Sequence, residues 1–194
     1  MSYLGELTLR IAAGAIHLPE DFRRRHSDFM LSARAADGGF TGREGEGDLY
    51  YTGFAVRGLA LLGNLDESTA RATANFLQRR LADELPSIDF LSLVYTAVVL
   101  ELTHGIDVFA DAGRDRPRAV VDALSRFHRP DGGYAKTLRS GQGSTYHTFL
   151  AVACKQLVGA EVEDPDQISG LIRSRRRGDG GFVELGPLKD GGTN

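Results

Sequence analysis

Hydrophobic positions along the chain follow two alternating helical patterns. Segments of the first kind are amphipathic, with apolar residues at helical spacing and charged residues on the other faces. One such segment carries Ala70, Ala74, Leu77 and Leu81, and others begin at Pro19 or include Val120 and Ile168. Segments of the second kind, residues 54–62, 91–102 and 149–158, are apolar nearly all round. Because a helix that is apolar on every side must be covered on every side, we expect an inner layer of apolar helices and an outer amphipathic layer.

A short motif, Asp-Gly-Gly followed by an aromatic residue, recurs along the chain. It begins at Asp37, Asp131 and Asp179, which fits a period of about 47 residues with a copy lacking its glycines near residue 84. We expect each repeat to form one outer and one inner helix, and we expect a further helix before the first repeat. The predicted repeats of this single domain, residues 1–194, are 20–63, 67–105, 115–159 and 164–194.

The glycines of the motif stand where each outer helix is expected to end. Glycine supplies the left-handed conformation that stops a helix, and the following aromatic residue can pack the turn onto the core. Glycine-rich loops, residues 41–47 and 136–143, then lead into inner helices. Neither loop matches a nucleotide-binding pattern, so we expect a structural role for these glycines.

Composition narrows the function classes without choosing among them. The formal net charge is -3, which gives no electrostatic footprint for nucleic acid. A single cysteine excludes an intrachain disulfide framework and any multi-cysteine metal site. Glu6 and Arg10 interrupt the apolar start of the chain, so a signal peptide is not predicted. No apolar run is long enough to predict a transmembrane helix, and we expect a cytoplasmic protein.

Two long segments carry a resemblance to a known superfamily. DGGFTGREGEGDLYYTGFAVRGLALLG and DGGYAKTLRSGQGSTYHTFLAVACKQLVG resemble the prenyltransferase and squalene-cyclase repeat, and the likeness extends over nearly the whole chain. The resemblance implies an all-α fold, an α/α toroid of inner and outer helices around a hydrophobic cavity. Three helix pairs do not close a ring that takes roughly six pairs in this superfamily, so we expect an incomplete ring. An incomplete ring implies that the sequence is a fragment of a longer protein or that a second chain completes the ring. If the chain ends at Asn194, we expect it to self-associate.

Within the superfamily the chain looks most similar to the β subunit of protein prenyltransferases, the geranylgeranyl type acting on Rab proteins. That resemblance implies one Zn²⁺ held by an Asp and a Cys before an inner-helix tyrosine and by a His in a later repeat. His147 matches the histidine position, and Asp190 fits the aspartate position, but Gly192 occupies the matching cysteine position. No other copy holds both ligands, so a hydrogen bond within a polar rim is the alternative role for His147.

The same resemblance implies a basic site for the diphosphate and aromatic walls for the isoprenoid chain. Lys136, Arg139 and Tyr146 flank one glycine-rich loop and are the candidates for the diphosphate, since positive charge is needed where the leaving group develops negative charge. Solvated loop charges are the alternative for the two cations. Tyr51 is a candidate for the aromatic wall, and Cys154 is expected to be a buried core residue.

Three functions remain open at this point. The first is a prenyltransferase β-subunit-like protein that binds an isoprenoid diphosphate and transfers the prenyl group to a thiol of an acceptor protein, with an α-subunit-like partner. The second is a non-catalytic repeat protein that binds an apolar ligand or a partner protein. The third, a terpene cyclase, is weaker because the chain has no DxDD motif for protonation.

Overall fold

The chain folds into helices joined by short turns and loops. The computed structural model describes residues 2–83, 85–110 and 116–188. Its helices are α1 (Tyr3–Ala15), α2 (Glu20–Ser32), α3 (Leu49–Leu61), α4 (Glu67–Arg80), α5 (Ser87–His104), α6 (Arg116–Ser125), α7 (Thr145–Leu157) and α8 (Pro165–Ser174). Within these described ranges, extended backbone pairs only in isolated antiparallel bridges, which confirms the predicted all-α class.

Outer and inner helices alternate as the hydrophobic pattern predicts. The amphipathic helices α2, α4, α6 and α8 alternate with the apolar helices α3, α5 and α7. The inner helices begin a turn earlier than their apolar runs, because polar residues cap their first turns. The Asp48 carboxylate accepts a hydrogen bond from the backbone N–H of Tyr51 at 3.0 Å, and the Ser144 hydroxyl accepts one from that of His147 at 3.2 Å.

The described residues pack into two compact units. The first combines Met1–Leu85 with Ser92–Arg114, and the second combines Pro86–Leu91 with Asp115–Asn194. In the first unit, α3 packs against α1, α2 and α4. In the second unit, α7 packs against α6 and α8, and its Cys154 is fully buried, as predicted. Burial raises the pKa of this thiol, because the charged thiolate loses its hydration.

The Asp-Gly-Gly motif forms a tight hairpin after each outer helix has already ended. α2 ends at Ser32, whereas the left-handed residue is Gly38, with φ of 90°. The N–H of Gly38 donates to the carbonyl of Ala35 at 3.1 Å, and the N–H of Ala35 donates to the carbonyl of Gly39 at 2.9 Å. The expectation that this glycine stops the helix was therefore wrong. It closes a turn that brings the aromatic residue back beside the helix end.

The aspartate of the motif ties this hairpin to the loop before the inner helix. In the first copy, Asp37 accepts hydrogen bonds from the N–H groups of Gly39 and Gly47 at 3.0 and 2.9 Å. In the third copy, Asp131 accepts them from Gly133 and Gly143 at 3.2 and 3.0 Å. These contacts support the structural role predicted for the glycines, since close backbone approach leaves no room for side chains.

The hydrogen bonds also set the register between repeats. The backbone N–H of Phe40 donates to Thr52 at 2.8 Å, and that of Tyr134 donates to Thr148 at 2.9 Å. Thr52 and Thr148 are therefore equivalent, which aligns Tyr50 with Tyr146. The segments between these hydrogen-bonded residues differ by two residues in length, so the contacts and not the chain spacing define the alignment.

Helix α5 is long and apolar enough to cross a membrane by length and composition alone. Its 18 residues have a mean hydropathy of 1.2. This was not predicted from the sequence, where an uninterrupted apolar run was the criterion, because this helix includes polar residues. However, 44% of the helix is buried within the protein, including Leu93, Val94 and Leu100. Packing in the core therefore accounts for part of its hydropathy.

The inner helices are not covered on every side, contrary to the expectation from their composition. Several aromatic side chains on α3 and α7 are between 37% and 53% exposed: Tyr50, Tyr51, Phe54, Tyr146 and Phe149. The sequence pattern shows which positions are apolar, but the packing of the helices determines which of them are buried. The exposed aromatic face of α3 is the first candidate for a ligand site.

Candidate functional site

Aromatic side chains on α3 stack into a continuous row. The ring of Tyr51 meets that of Tyr50 edge to face, with centroids 5.6 Å apart, and Tyr50 meets Phe54 in the same way at 4.8 Å. The guanidinium of Arg57 lies over the ring of Phe54, with its Cζ atom 4.6 Å from the centroid. We call Tyr50, Tyr51, Phe54 and Arg57 the α3 row; it gives the first unit an aromatic surface that ends in a cation.

Tyr95 of α5 provides a second ring contact for the Arg57 guanidinium. Its Cζ atom lies 4.7 Å from the centroid of the Tyr95 ring. Tyr95 is buried, and its hydroxyl is hydrogen-bonded to Thr8 of α1 and to the carbonyl of Leu4 at 3.5 Å. The packing of α1 therefore fixes the ring on which the guanidinium rests.

The loop before α3 supports the other end of the α3 row. A Cβ atom at Gly42 would lie 2.4 Å from the Tyr51 ring, so the backbone touches this ring closely. Tyr51 itself is 49% exposed. One side of the ring is therefore held by the glycine-rich loop while the other remains open to a ligand.

A second cluster surrounds His147 at the start of α7. The Nδ1 atom of His147 lies 2.6 Å from the hydroxyl of Ser87, and its Nε2 atom lies 3.9 Å from Oε1 of Glu184. The hydroxyl of Ser144 donates to the same Glu184 oxygen at 2.8 Å. His147 and Ser87 are both buried. The alternative role suggested for His147, a hydrogen bond within a polar cluster, is therefore present in the structure.

Burial lowers the pKa of His147, because the charged imidazolium would lose its hydration. Glu184 opposes this effect and raises the pKa, whereas the positive charge of Lys136 lowers it further. The net direction is downward, so His147 stays neutral at a pH where an exposed histidine begins to take up a proton.

This pKa shift predicts a pH dependence of stability that His147→Gln should reduce. The unfolded chain binds the proton first as the pH falls below about 6.5, so the contribution of His147 is complete above that pH and is lost below it. We expect the free energy of unfolding, measured by urea titration, to fall more between pH 7.5 and 5.5 in the native chain than in His147→Gln. His128→Gln is the control, and an equal fall in all three proteins would contradict the prediction.

The predicted substrate residues do not all belong to one unit. Tyr51 lies in the first unit, and Lys136, Arg139 and Tyr146 lie in the second. Lys136 and Arg139 are exposed on the loop before α7, and Tyr146 is 44% exposed with its ring 5.3 Å from that of His147. The second unit thus places Tyr146 beside His147, with the charge of Lys136 near enough to lower the pKa of His147, and the substrate role of Lys136, Arg139, Tyr146 and Tyr51 stays a prediction.

Only some of the zinc ligands implied by the resemblance can be located among the described residues. Catalytic zinc sites generally use three protein ligands. His147 and Glu184 supply two donor side chains, but no group of three His, Cys, Asp or Glu residues that could hold a metal occurs in the part of the chain that the structure describes. Asp190 lies outside the described residues. The described residues thus do not fit a catalytic zinc site, and zinc ligation stays a prediction.

Sequence reasoning missed three residues that shape these clusters: Arg57, Ser87 and Glu184. Arg57 is a charged residue inside an apolar segment, which is a signal that the sequence does contain. Ser87 and Glu184 lie 60 residues before and 37 residues after their histidine partner, and no local pattern marks either of them. Two arginines after α8, in contrast, support the local structure. Arg175 pairs with Asp131 at 3.2 Å, and Arg177 donates to loop carbonyls.

The comparisons with known proteins identify a family. The model of the prenyltransferase alpha-alpha toroid domain matches residues 7–84 and 87–188. Neither the curated proteins nor the solved structures include a significant match to the chain. The predicted toroid fold and superfamily are confirmed by the family match, whereas the likeness to the Rab-type β subunit stays a prediction.

Proposed function

Because the chain belongs to the prenyltransferase alpha-alpha toroid family, we propose that it binds an isoprenoid diphosphate and serves transfer of the prenyl group to a thiol acceptor. The observation that carries this proposal is the α3 row, with three partly exposed aromatic rings in edge-to-face contact. A geranylgeranyl-type β subunit with an α-subunit-like partner is the specific form of this proposal.

The α3 row suits a long apolar chain better than a compact polar ligand. Large aromatic side chains provide extensive apolar contact area, and their ring faces accept the C–H groups of an isoprenoid. Contact between neighbouring rings limits their rotation, so little side-chain entropy is lost when a ligand covers them. Isolated exposed apolar residues are common on proteins, but a contiguous row of rings is a recognised sign of a binding surface.

The residues around α7 are the proposed site of chemistry. Loss of the diphosphate leaves negative charge on the departing oxygen, which the cations of Lys136 and Arg139 would stabilise. His147 is buried and hydrogen-bonded to Ser87, and its ring lies 5.3 Å from that of Tyr146, so it would position the exposed Tyr146 ring instead of contacting the acceptor itself.

Direct binding tests the proposal through two substitutions in the α3 row. We expect Tyr51→Ala and Phe54→Ala each to weaken binding of farnesyl or geranylgeranyl diphosphate about 5- to 30-fold, because each removes about 1–2 kcal/mol of apolar contact. Isothermal titration calorimetry on the full chain measures the dissociation constants. The matched control is Phe29→Ala, which removes a side chain that is 76% exposed on the outer helix α2 and should leave affinity unchanged.

The outcomes separate the alternatives. Equal affinity in all four proteins, or no binding of either diphosphate, would contradict the proposed function. Binding without transfer to a cysteine-containing acceptor peptide would favour the non-catalytic repeat protein. Release of a cyclic hydrocarbon from the substrate would favour the terpene cyclase.

A further inference from the structure

We propose that Arg57 is the anion-binding residue of the α3 row and holds the diphosphate of the ligand whose apolar chain lies on Tyr50, Tyr51 and Phe54. The identity of the apolar chain rests on the proposed function, but the anion site is argued from the geometry of Arg57 alone. This assigns diphosphate binding to a residue within an inner helix of the first unit, as an alternative to the loop cations Lys136 and Arg139 of the second unit.

The guanidinium of Arg57 is held in place before any ligand arrives. It contacts two rings, with its Cζ atom 4.6 Å from the centroid of Phe54 and 4.7 Å from that of Tyr95. Its Nε–H donates to the carbonyl of Gly53 at 2.8 Å. The two ring contacts together with this hydrogen bond restrict the movement of the group, so an anion can bind without ordering a flexible side chain.

Most of the hydrogen-bonding capacity of Arg57 is left for a ligand. A guanidinium has five N–H donors, of which Nε–H is used, and the other four belong to Nη1 and Nη2. Among the described residues, no carboxylate lies within ion-pairing distance of Arg57, and neither terminal nitrogen donates to a protein acceptor. Neither terminal nitrogen is a fully buried atom without a partner, and Arg57 as a whole is partly exposed. A planar fork of this kind matches two oxygens of a phosphate group.

The contacts of Tyr95 show that this arrangement is built by three helices. Arg57 belongs to α3, Tyr95 to α5, and the Tyr95 hydroxyl is tied to Thr8 and Leu4 of α1. Tyr95 is 8% exposed, so its ring is fixed in the core while one face meets the cation. An aromatic face strengthens the hold on the guanidinium without neutralising its charge, which leaves the charge for the ligand.

The position of Arg57 along α3 fits an amphiphilic ligand. Arg57 follows Tyr51 by six residues, which corresponds to about 9 Å along a helix. Phe54 lies between them and contacts both Tyr50 and the guanidinium. An apolar chain lying on the rings would therefore place an anionic end group at the cation.

Titration with inorganic pyrophosphate tests the anion site without the apolar chain. We expect the native full-length chain to bind pyrophosphate, with a shift of the Arg57 Nε–H resonance in proton–nitrogen NMR spectra. Arg57→Gln should weaken this binding at least tenfold. Arg57→Lys keeps the charge but loses the planar fork, and it should recover only part of the affinity. Arg71→Gln is the matched control, because Arg71 is exposed on α4 and pairs with Glu67.

Two further ligands separate this inference from the proposed function. If geranylgeranyl diphosphate binds no tighter than pyrophosphate and both depend on Arg57, the anion site stands and the isoprenoid proposal fails. If geranylgeranyl diphosphate and geranylgeraniol bind equally well to native protein and Arg57→Gln, the anion site is wrong. Loss of pyrophosphate binding in Lys136→Gln and Arg139→Gln, with no change in Arg57→Gln, would also overturn it. The thermal unfolding midpoint of each variant shows whether it is folded.

Discussion

Replacing Asp131 with alanine is expected to lower the free energy of unfolding by about 2–4 kcal/mol, since this carboxylate joins three segments. It accepts hydrogen bonds from the N–H groups of Gly133 and Gly143, at 3.2 and 3.0 Å, and from Nη2 of Arg175 at 3.2 Å. The Arg175 side chain is only 9% exposed. Removing the carboxylate leaves this buried cation without its charged partner, which is the costly part of the substitution.

Urea unfolding at pH 7 measures the effect of Asp131→Ala. The control is Asp122→Ala, which removes an exposed carboxylate of α6 and is expected to change stability by less than about 0.5 kcal/mol. Asp131→Asn keeps an acceptor oxygen but loses the charge, so its stability should lie between those of the native chain and Asp131→Ala. A loss in Asp131→Ala no larger than that in Asp122→Ala would show that the three-way junction contributes little.

Replacing Gly143 with alanine is expected to destabilise the same junction by about 2–3 kcal/mol through steric overlap. A Cβ atom at this position would lie 2.6 Å from the Cα atom and 2.8 Å from the carbonyl carbon of Gly133. Both are backbone atoms of the motif hairpin, which cannot move aside as a flexible side chain can. The hairpin and the loop before α7 would have to separate, which also stretches their hydrogen bonds to Asp131.

Gly141→Ala provides a matched control in the same loop, because a Cβ atom there would have no neighbour within 4 Å. Its unfolding free energy is expected to stay within about 0.5 kcal/mol of the native value. Thermal and urea unfolding of the two variants side by side separate a specific clash from a general effect of alanine in a glycine-rich loop. Equal stability of Gly143→Ala and Gly141→Ala would contradict the close packing of the two loops.

These two predictions concern stability, but they also bear on the proposed chemistry. Gly143 is followed directly by Ser144, whose hydroxyl caps α7 and holds Glu184 beside His147. A displaced loop would therefore move Lys136, Tyr146 and His147 relative to one another. The motif hairpin is thus a support for the cluster at the start of α7 as well as a connection between helices.

Much of the fold could be predicted from the sequence, because helices and turns follow local patterns. The alternation of amphipathic and apolar segments predicted the outer and inner helices. The recurrence of Asp-Gly-Gly and an aromatic residue predicted the repeating turns. The conformation of these turns could be seen only in the structure. A glycine after an amphipathic segment is typical both of a helix end and of a hairpin turn, and Gly38 closes a hairpin.

The candidate site depended on contacts that only the tertiary structure could decide. The sequence pointed to His147, Lys136 and Tyr146 around one loop, since they are close along the chain. It gave no sign that Ser87 and Glu184 would meet His147, or that Tyr95 would cover Arg57. Side-chain periodicity determines which residues share a helix face, whereas partners distant in sequence are determined by how the helices pack. For this protein, the sequence by itself determined a helical repeat of the toroid type, and the packing alone determined which of its polar and aromatic residues form a site.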